Sequence, residues 1–245
     1  MRLRRCVVAL SLLALSCLMG CTHLPGKPAP GPEVPRPDSI LDPVVLFNQN
    51  CSGCHGADGK NGPAMMLSDP VYLAIVGDDT LQSTISKGRP GTAMSAFAQK
   101  EGGMLTDDQI NAIIRGIRQR WSKPNALGGD IAPPYAAKST GDAARGQSVY
   151  GTYCSSCHGT SGSGGQQAGS VVDKAYLSLI TDQGLRTIVI TGRPDLNAPD
   201  WRNNVPGHPM SDQEITDVVS WLASQRPNRT ANTSLQTANS AGGAQ

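Results

Sequence analysis

The stretches Cys51-Ser52-Gly53-Cys54-His55 and Cys154-Ser155-Ser156-Cys157-His158 repeat one pentapeptide, Cys-x-x-Cys-His. On a short helix this spacing brings both sulfurs to one haem edge, where they can bond the two vinyl-derived carbons, while the adjacent histidine points at the iron. A zinc site needs four ligands gathered together, and a thioredoxin-like motif does not need the trailing histidine. The sequence therefore predicts two covalent haem c groups. Their thioether bonds go to Cys51, Cys54, Cys154 and Cys157, and their proximal iron ligands are His55 and His158.

The composition is consistent with small domains built around these groups. The length of 245 residues suits two small domains plus tails, but aromatic residues make up only 4% of the chain. Small domains with few buried apolar residues need an additional stabilising group, and a covalently attached, buried haem is one. The formal net charge is +2, and loss of the first 20 residues would leave 18 basic against 19 acidic side chains. This balance gives no indication of nucleic-acid binding.

The N-terminus is typical of an export signal. Residues 1–5 are basic, residues 6–19 are apolar, and the run ends Leu18-Met19-Gly20-Cys21, which resembles a bacterial lipoprotein processing site. We expect residues 1–20 to be a signal peptide and Cys21 to carry lipid. The alternatives are an uncleaved anchor or an ordinary signal, although the apolar run is short for a membrane span. Haem is attached to such motifs outside the bacterial cytoplasmic membrane, so we expect an exported, lipid-anchored protein on the periplasmic or extracytoplasmic face.

The chain contains an internal repeat. The cysteines match at an offset of 103 residues, Gly-Arg-Pro at 104, and an apolar pattern near each end at 105. We define repeat 1 as residues 41–121 and repeat 2 as residues 141–226, each predicted to be a domain. Three segments flank them: a Pro-rich tether or disordered leader at 21–40, a linker at 122–140, and a tail at 227–245 that is predicted to be disordered.

Each repeat is predicted to be mostly helical. A first helix leads into the haem motif, at about 43–50 and 142–153, and a middle helix covers about 80–87 and 183–191. A final helix begins at Thr106 or Ser211, because Thr106 with Gln109 and Ser211 with Glu214 fit the capping-box pattern. Apolar residues at i, i+3, i+4 and i+7 give each final helix one buried face, which we expect to pack against the first helix.

This order of features resembles the class I cytochrome c fold, here as a tandem di-haem protein. The resemblance covers residues 41–226 and implies an all-α fold, with each domain wrapped around one haem, and a function in electron transfer. It implies that Met94 is the sixth ligand of the first iron, although Met65, Met66 and Met104 are other candidates and a packing role is open. It also implies that the carbonyl of Pro63 accepts a hydrogen bond from the proximal histidine, unless Pro63 is a simple turn residue.

The resemblance has two further implications. Arg89 and Arg193 end the middle helices, where such arginines contact haem propionates or act as helix C-terminal cations. Repeat 2 departs from the pattern, because the position of Met94 falls on Ala198, which cannot bind iron. Met210 ranks first as the sixth ligand there, His208 is the alternative, and an open iron is the third.

The sequence is compatible with three functions. The leading hypothesis is a membrane-anchored carrier, or a subunit of a respiratory or photosynthetic complex. It would pass electrons from a membrane oxidoreductase to a terminal acceptor and would not be an enzyme. The alternatives are a small peroxidase or reductase, and a gas-binding protein, both using an open iron in repeat 2.

Overall fold

The computed structural model describes residue 31 and residues 34–227. The predicted signal peptide, Cys21 and nearly all of the predicted tail therefore lie outside the described residues. The chain divides into two compact units, Met1–Ser39 and Ile40–Gln245. The described part of the first unit contains a short 3-10 helix, Pro37–Ser39. Both repeats lie in the second unit.

Within the described residues the fold is helical, with two isolated β-bridges and no strand. Each repeat contributes five α-helices in the same order. Repeat 1 contains α1 (Pro43–Asn50), α2 (Ser52–His55), α3 (Pro70–Ile75), α4 (Asp78–Lys87) and α5 (Asp107–Trp121). Repeat 2 contains α6 (Ala143–Tyr153), α7 (Ser155–His158), α8 (Lys174–Leu179), α9 (Asp182–Thr191) and α10 (Asp212–Ser224). None of these helices is long and apolar enough to cross a membrane. The all-α prediction is confirmed.

The helix ends follow from local chemistry. Asp42 and Asp142 accept hydrogen bonds from the first free N–H groups of α1 and α6. Thr106 and Ser211 begin α5 and α10 with complete capping boxes, as predicted. The predicted starts of α4 and α9 were late by two residues and one residue.

The final helix of each repeat packs against the first, also as predicted. Both crossings are close because a glycine lies at each. A Cβ atom on Gly116 of α5 would lie 2.5 Å from Cβ of Pro43 in α1. A Cβ atom on Gly146 of α6 would lie 2.0 Å from the carbonyl oxygen of Asp217 in α10. These contacts bring the end of each first helix, and the haem motif after it, to a fixed place beside the core.

Two apolar cores result, one for each repeat, and each contains an aromatic pair. Phe47 and Trp121 meet edge to face at 5.1 Å between ring centroids in the first, and Tyr150 and Trp221 meet at 4.4 Å in the second. The repeats are not independent, because Val71 on α3 of repeat 1 is buried in the core cluster of repeat 2. Helix α3 also contacts α9. The two predicted domains therefore pack together.

Candidate functional site: two haem c centres

Each pentapeptide forms the end of a helix and the short helix that follows it. Cys51 ends α1 and Cys54 and His55 lie on α2, while Cys154 ends α6 and Cys157 and His158 lie on α7. None of these four cysteines forms a disulfide, so their sulfurs can all bond to haem. Burial and the neighbouring cysteine raise the pKa of Cys51 to about 12 and that of Cys154 to about 11. These thiols are therefore neutral and available for thioether bonds to a haem edge.

The proximal histidines are oriented by backbone carbonyls. Nδ1 of His55 lies 2.8 Å from the carbonyl oxygen of Met65, and Nδ1 of His158 lies 2.7 Å from that of Gly169. A carbonyl oxygen only accepts, so Nδ1 is the donor in each ring, which leaves Nε2 without a protein partner in these two contacts. Burial also lowers the pKa of His55, although its hydrogen bond to Met65 opposes that shift. Each ring is thus oriented so that Nε2 is the nitrogen that can bind iron.

The acceptor for His55 is Met65 and not Pro63, so that prediction was wrong. The loop turns against the motif one residue before the acceptor, since N–H of Ala64 donates to the carbonyl of Cys54 at 3.0 Å. A Cβ atom on Gly62 would lie 2.2 Å from the same oxygen. The chain therefore reaches the imidazole only at Met65.

The loop of repeat 2 repeats this architecture with one extra residue. Gly165 matches Gly62, because a Cβ atom there would lie 2.5 Å from the carbonyl oxygen of Cys157. Farther on, N–H of Val171 donates to Gly162 as N–H of Leu67 donates to Gly59, both at 2.8 Å. The offset between the repeats rises from 103 to 104 residues within this loop. The carbonyl that accepts from the proximal histidine therefore lies at the same place in both repeats, although it belongs to Met65 in one and to Gly169 in the other.

The two arginines that are predicted to contact haem propionates both have protein partners in the structure. Arg89 donates to the hydroxyl of Tyr135 at 2.8 Å. Arg193 forms two hydrogen bonds of 2.8 Å to the carboxylate of Asp195, whose side chain is 1% exposed. The pKa of Asp195 is lowered chiefly by the Arg193 guanidinium. A guanidinium has five N–H donors, so these contacts leave donors for a haem propionate, and the propionate contacts stay a prediction.

The loop after α4 holds Met94 beside the core of repeat 1. Its side chain is half-buried against the core of repeat 1, and its carbonyl accepts from N–H of Arg89 at 2.9 Å. Met65 packs on the same core, but its carbonyl serves His55 on the proximal side. Met104 is 75% exposed and lies outside the core. Met66 is also half-buried, so the assignment of Met94 as the sixth ligand stays a prediction.

The same loop in repeat 2 carries Ala198 where repeat 1 carries Met94. N–H of Arg193 donates to the carbonyl of Ala198 at 3.0 Å, which reproduces the bond between Arg89 and Met94. Ala198 and Met94 therefore occupy equivalent positions in the two repeats, as the sequence match without a gap predicted. Ala198 offers no ligand atom.

The two candidate ligands for the iron of repeat 2, Met210 and His208, differ in burial. Met210 is buried, with 2% of its surface exposed, and its N–H donates to the carbonyl of Trp201 at 2.9 Å. Leu105 makes the equivalent bond to Phe97 at 2.8 Å. Met210 therefore occupies the packing position that Leu105 holds in repeat 1. His208 is exposed.

Sequence reasoning missed a buried arginine beside the second core. Arg186 on α9 is 2% exposed and donates to the carbonyls of Pro134 and Tyr135 and to the hydroxyl of Thr216. It also pairs with the carboxylate of Asp212. A lone arginine within a helical pattern gives no signal of such burial.

Comparison with known proteins agrees with this geometry. The family model described as "Cytochrome C oxidase, cbb3-type, subunit III" matches residues 38–115 and again 141–222. The Cbb3-type cytochrome c oxidase subunit CcoP of Azospirillum sp. (strain B510) is 32% identical over 134 residues, which cover 50% of this chain and 40% of the relative. The Cbb3-type cytochrome c oxidase subunit FixP of Bradyrhizobium diazoefficiens is 27% identical over 169 residues, which cover 66% of this chain and 54% of the relative.

A second group of relatives has a different name. The cytochrome bc1 complex cytochrome c subunit of Mycobacterium bovis is 27% identical over 202 residues, covering 79% of this chain and 68% of the relative. This chain thus spans about half the length of the cbb3-type relatives, and more of the bc1 relative. Since the family model covers both repeats and each repeat holds a free Cys pair beside an oriented histidine, the chain belongs to the family of cbb3-type cytochrome c oxidase subunit III and carries two covalently bound haem c groups.

Proposed function

We propose that this protein is a membrane-anchored electron-transfer subunit of a respiratory complex, which takes electrons from a membrane oxidoreductase and passes them to a terminal acceptor. The observation that carries this proposal is the pair of histidines, each fixed by a backbone carbonyl, in two repeats that pack together. The names of the relatives, subunits of cbb3-type oxidases and bc1 complexes, support the kind of complex.

The side chains of this protein would set how readily each centre gives up an electron. A haem iron supplies reversible one-electron chemistry. In repeat 1 the thioether of Met94 is soft and favours the ferrous state, so His55 and Met94 together would give a high potential. The carbonyl of Met65 keeps the His55 ring from rotating. Rigid ligands change little between oxidation states, as an electron carrier requires.

We place the protein at the membrane through lipid on Cys21, with residues 21–40 as a Pro-rich tether. Cys21 itself lies outside the described residues, and the support is the basic and apolar sequence before it. Such a tether spans at most about 60 Å at roughly 3.1 Å per residue. That reach would let the haem repeats contact partners near the membrane surface.

The function is tested in membranes of a strain that lacks the gene and receives either the wild type or Cys21→Ser. We expect the wild type to restore quinol-driven, haem-linked oxygen consumption and to stay in the membrane fraction. Cys21→Ser should hold both haems but leave the membrane on washing, so consumption should fall. Fast quinol-driven reduction with no onward transfer to any oxidant would contradict the proposal.

A second candidate function rests on one observation, the alanine at the distal position of repeat 2. Ala198 provides no ligand, Met210 lies in a packing position and His208 is exposed. An iron with no strong sixth ligand binds small molecules such as carbon monoxide, oxygen or peroxide. Repeat 2 would then serve as a gas-binding or peroxide-reducing centre beside an electron-transferring repeat 1.

Carbon monoxide distinguishes the two repeats. We expect the reduced wild-type protein to bind about one carbon monoxide for its two haems, and Met94→Leu to bind about two, because each missing thioether opens one iron. The measurement is a gas titration followed by the shift of the Soret band. Met104→Leu is the matched control, since Met104 is 75% exposed and its loss should change nothing. A wild type that binds no gas would remove the second candidate, and an unchanged Met94→Leu would remove Met94 as a ligand.

A further inference from the structure

One residue of the linker, Tyr135, contacts both repeats. The ring of Tyr135 packs against the core of repeat 1, and its hydroxyl accepts from Nη2 of Arg89 at 2.8 Å. Its backbone carbonyl instead accepts from repeat 2, from Nε2 of Gln183 at 2.7 Å and Nε of Arg186 at 3.1 Å. The side chain of Tyr135 therefore belongs to repeat 1 and its backbone to repeat 2.

The contact with repeat 1 exists because Arg89 has no acidic side chain two residues on. In repeat 2 the equivalent arginine, Arg193, is held by Asp195 of its own loop. The residue that matches Asp195 in repeat 1 is Gly91, which has no side chain. The Arg89 guanidinium is consequently available to the linker. Arg89 thus reaches the linker, whereas Arg193 pairs with an aspartate of its own loop.

The contact with repeat 2 is anchored in the protein interior. Arg186 is 2% exposed, donates to the carbonyls of both Pro134 and Tyr135, and is itself held by Thr216 and Asp212. Planar guanidinium groups with several donors fix the geometry of their acceptors better than an ammonium does. The linker is thus rigidly attached to α9 at the point where Tyr135 leaves for repeat 1.

We propose that Tyr135 is a positioning residue that, together with the packing of Val71, holds repeat 1 against repeat 2 and thereby sets the rate of electron exchange between the two haems. This inference rests on the proposed electron-transfer function. Electron tunnelling falls steeply with the distance between donor and acceptor, so a fixed contact between the repeats keeps the exchange fast. The hydrogen bonds of Tyr135 go to Arg89, Gln183 and Arg186, none of which is a proposed iron ligand, so Tyr135 acts through Arg89 and the linker backbone.

The test compares Tyr135→Phe with the wild type in the purified holoprotein. The variant keeps the ring but loses the hydroxyl, so the bond from Arg89 is lost. Since a hydrogen bond to a charged donor contributes a factor of about ten or more to an opening equilibrium, we expect amide exchange in residues 131–137 to become about tenfold faster. After flash reduction by a soluble dye, electron redistribution between the haems should slow severalfold, with both midpoint potentials unchanged.

Two further variants make the result decisive. Tyr153→Phe is the matched control, because its hydroxyl contacts Glu214 within repeat 2 at 3.1 Å, and it should change neither linker exchange nor redistribution. Arg89→Met removes the same bond from the other side and should reproduce Tyr135→Phe, with no further effect when the two are combined. Unchanged linker exchange, or faster exchange with an unchanged redistribution rate, would overturn the proposal. The dye replaces the natural partner, so a failure of the proposed partners leaves this outcome readable.

Discussion

Replacing Cys154 and Cys157 together by serine is expected to reduce the haem content from two per chain to one and to unfold repeat 2. Serine cannot form the thioether bonds, so the second haem would be held only by its iron ligand. The core of repeat 2 is small, and the Tyr150–Trp221 pair is its main aromatic contact. Domains of this size rarely supply enough buried apolar surface to fold without an additional stabilising group.

The measurement combines three readings. Haem per chain is counted from the spectrum of the alkaline pyridine complex, helix content from far-ultraviolet circular dichroism, and haem proximity from the fluorescence of Trp201 and Trp221. Loss of the haem should raise that fluorescence, because a nearby haem quenches tryptophan by energy transfer. We expect helix content to fall by the share that α6 to α10 contribute.

The matched control lies in the same pentapeptide. Ser155→Ala with Ser156→Ala leaves both cysteines and His158 in place and should keep both haems and full helix content. Two haems in the double serine variant would mean that thioether bonds are not what retains the second haem. One haem with undiminished helix content would mean that repeat 2 folds without its haem, which would contradict the prediction that the haem is needed to stabilise it.

Several features of the fold follow directly from the sequence, and each has a local cause. The capping boxes at Thr106 and Ser211 are predictable because both partners lie within four residues. The packing of the final helix on the first is predictable from the apolar period of α5 and α10. The match of Ala198 to Met94 is predictable because no insertion separates them from the Gly-Arg-Pro motif.

Other features depend on contacts that no local pattern encodes. Helices α3 and α8 are six residues long, too short for a helical period to show, although Asp69 before Pro70 is a helix-start signal that was available. The carbonyl that orients His55 is a backbone atom, so its residue type carries no information. The packing of α3 against repeat 2 is a tertiary contact of Val71, a residue that reads equally well as part of its own core.

Arg186 is the strongest case of a residue whose role only the structure reveals, and replacing it by methionine is the second large expected effect. Methionine preserves much of the apolar stem but leaves the carboxylate of Asp212 without its partner. It also leaves the carbonyl of Pro134 without a donor. A third of the Asp212 side chain is exposed, so the loss falls chiefly on the interior carbonyl of Pro134, and a buried acceptor left unpaired costs about 1–3 kcal/mol. We expect the free energy of unfolding of the holoprotein to fall by about that amount.

Chemical denaturation of the holoprotein measures this change, with Lys100→Met as the matched control. Lys100 also pairs with an aspartate, Asp107, but both side chains are 57% exposed, and such pairs contribute about 1 kcal/mol or less. Equal denaturation midpoints for the two variants would show that burial does not strengthen the Arg186 contacts. Arg186→Lys is expected to recover only part of the loss, because one ammonium cannot reach Asp212 and the two linker carbonyls at once. A full recovery by lysine would mean that charge alone matters at this site, and the rigid attachment of the linker to α9 would then need another cause.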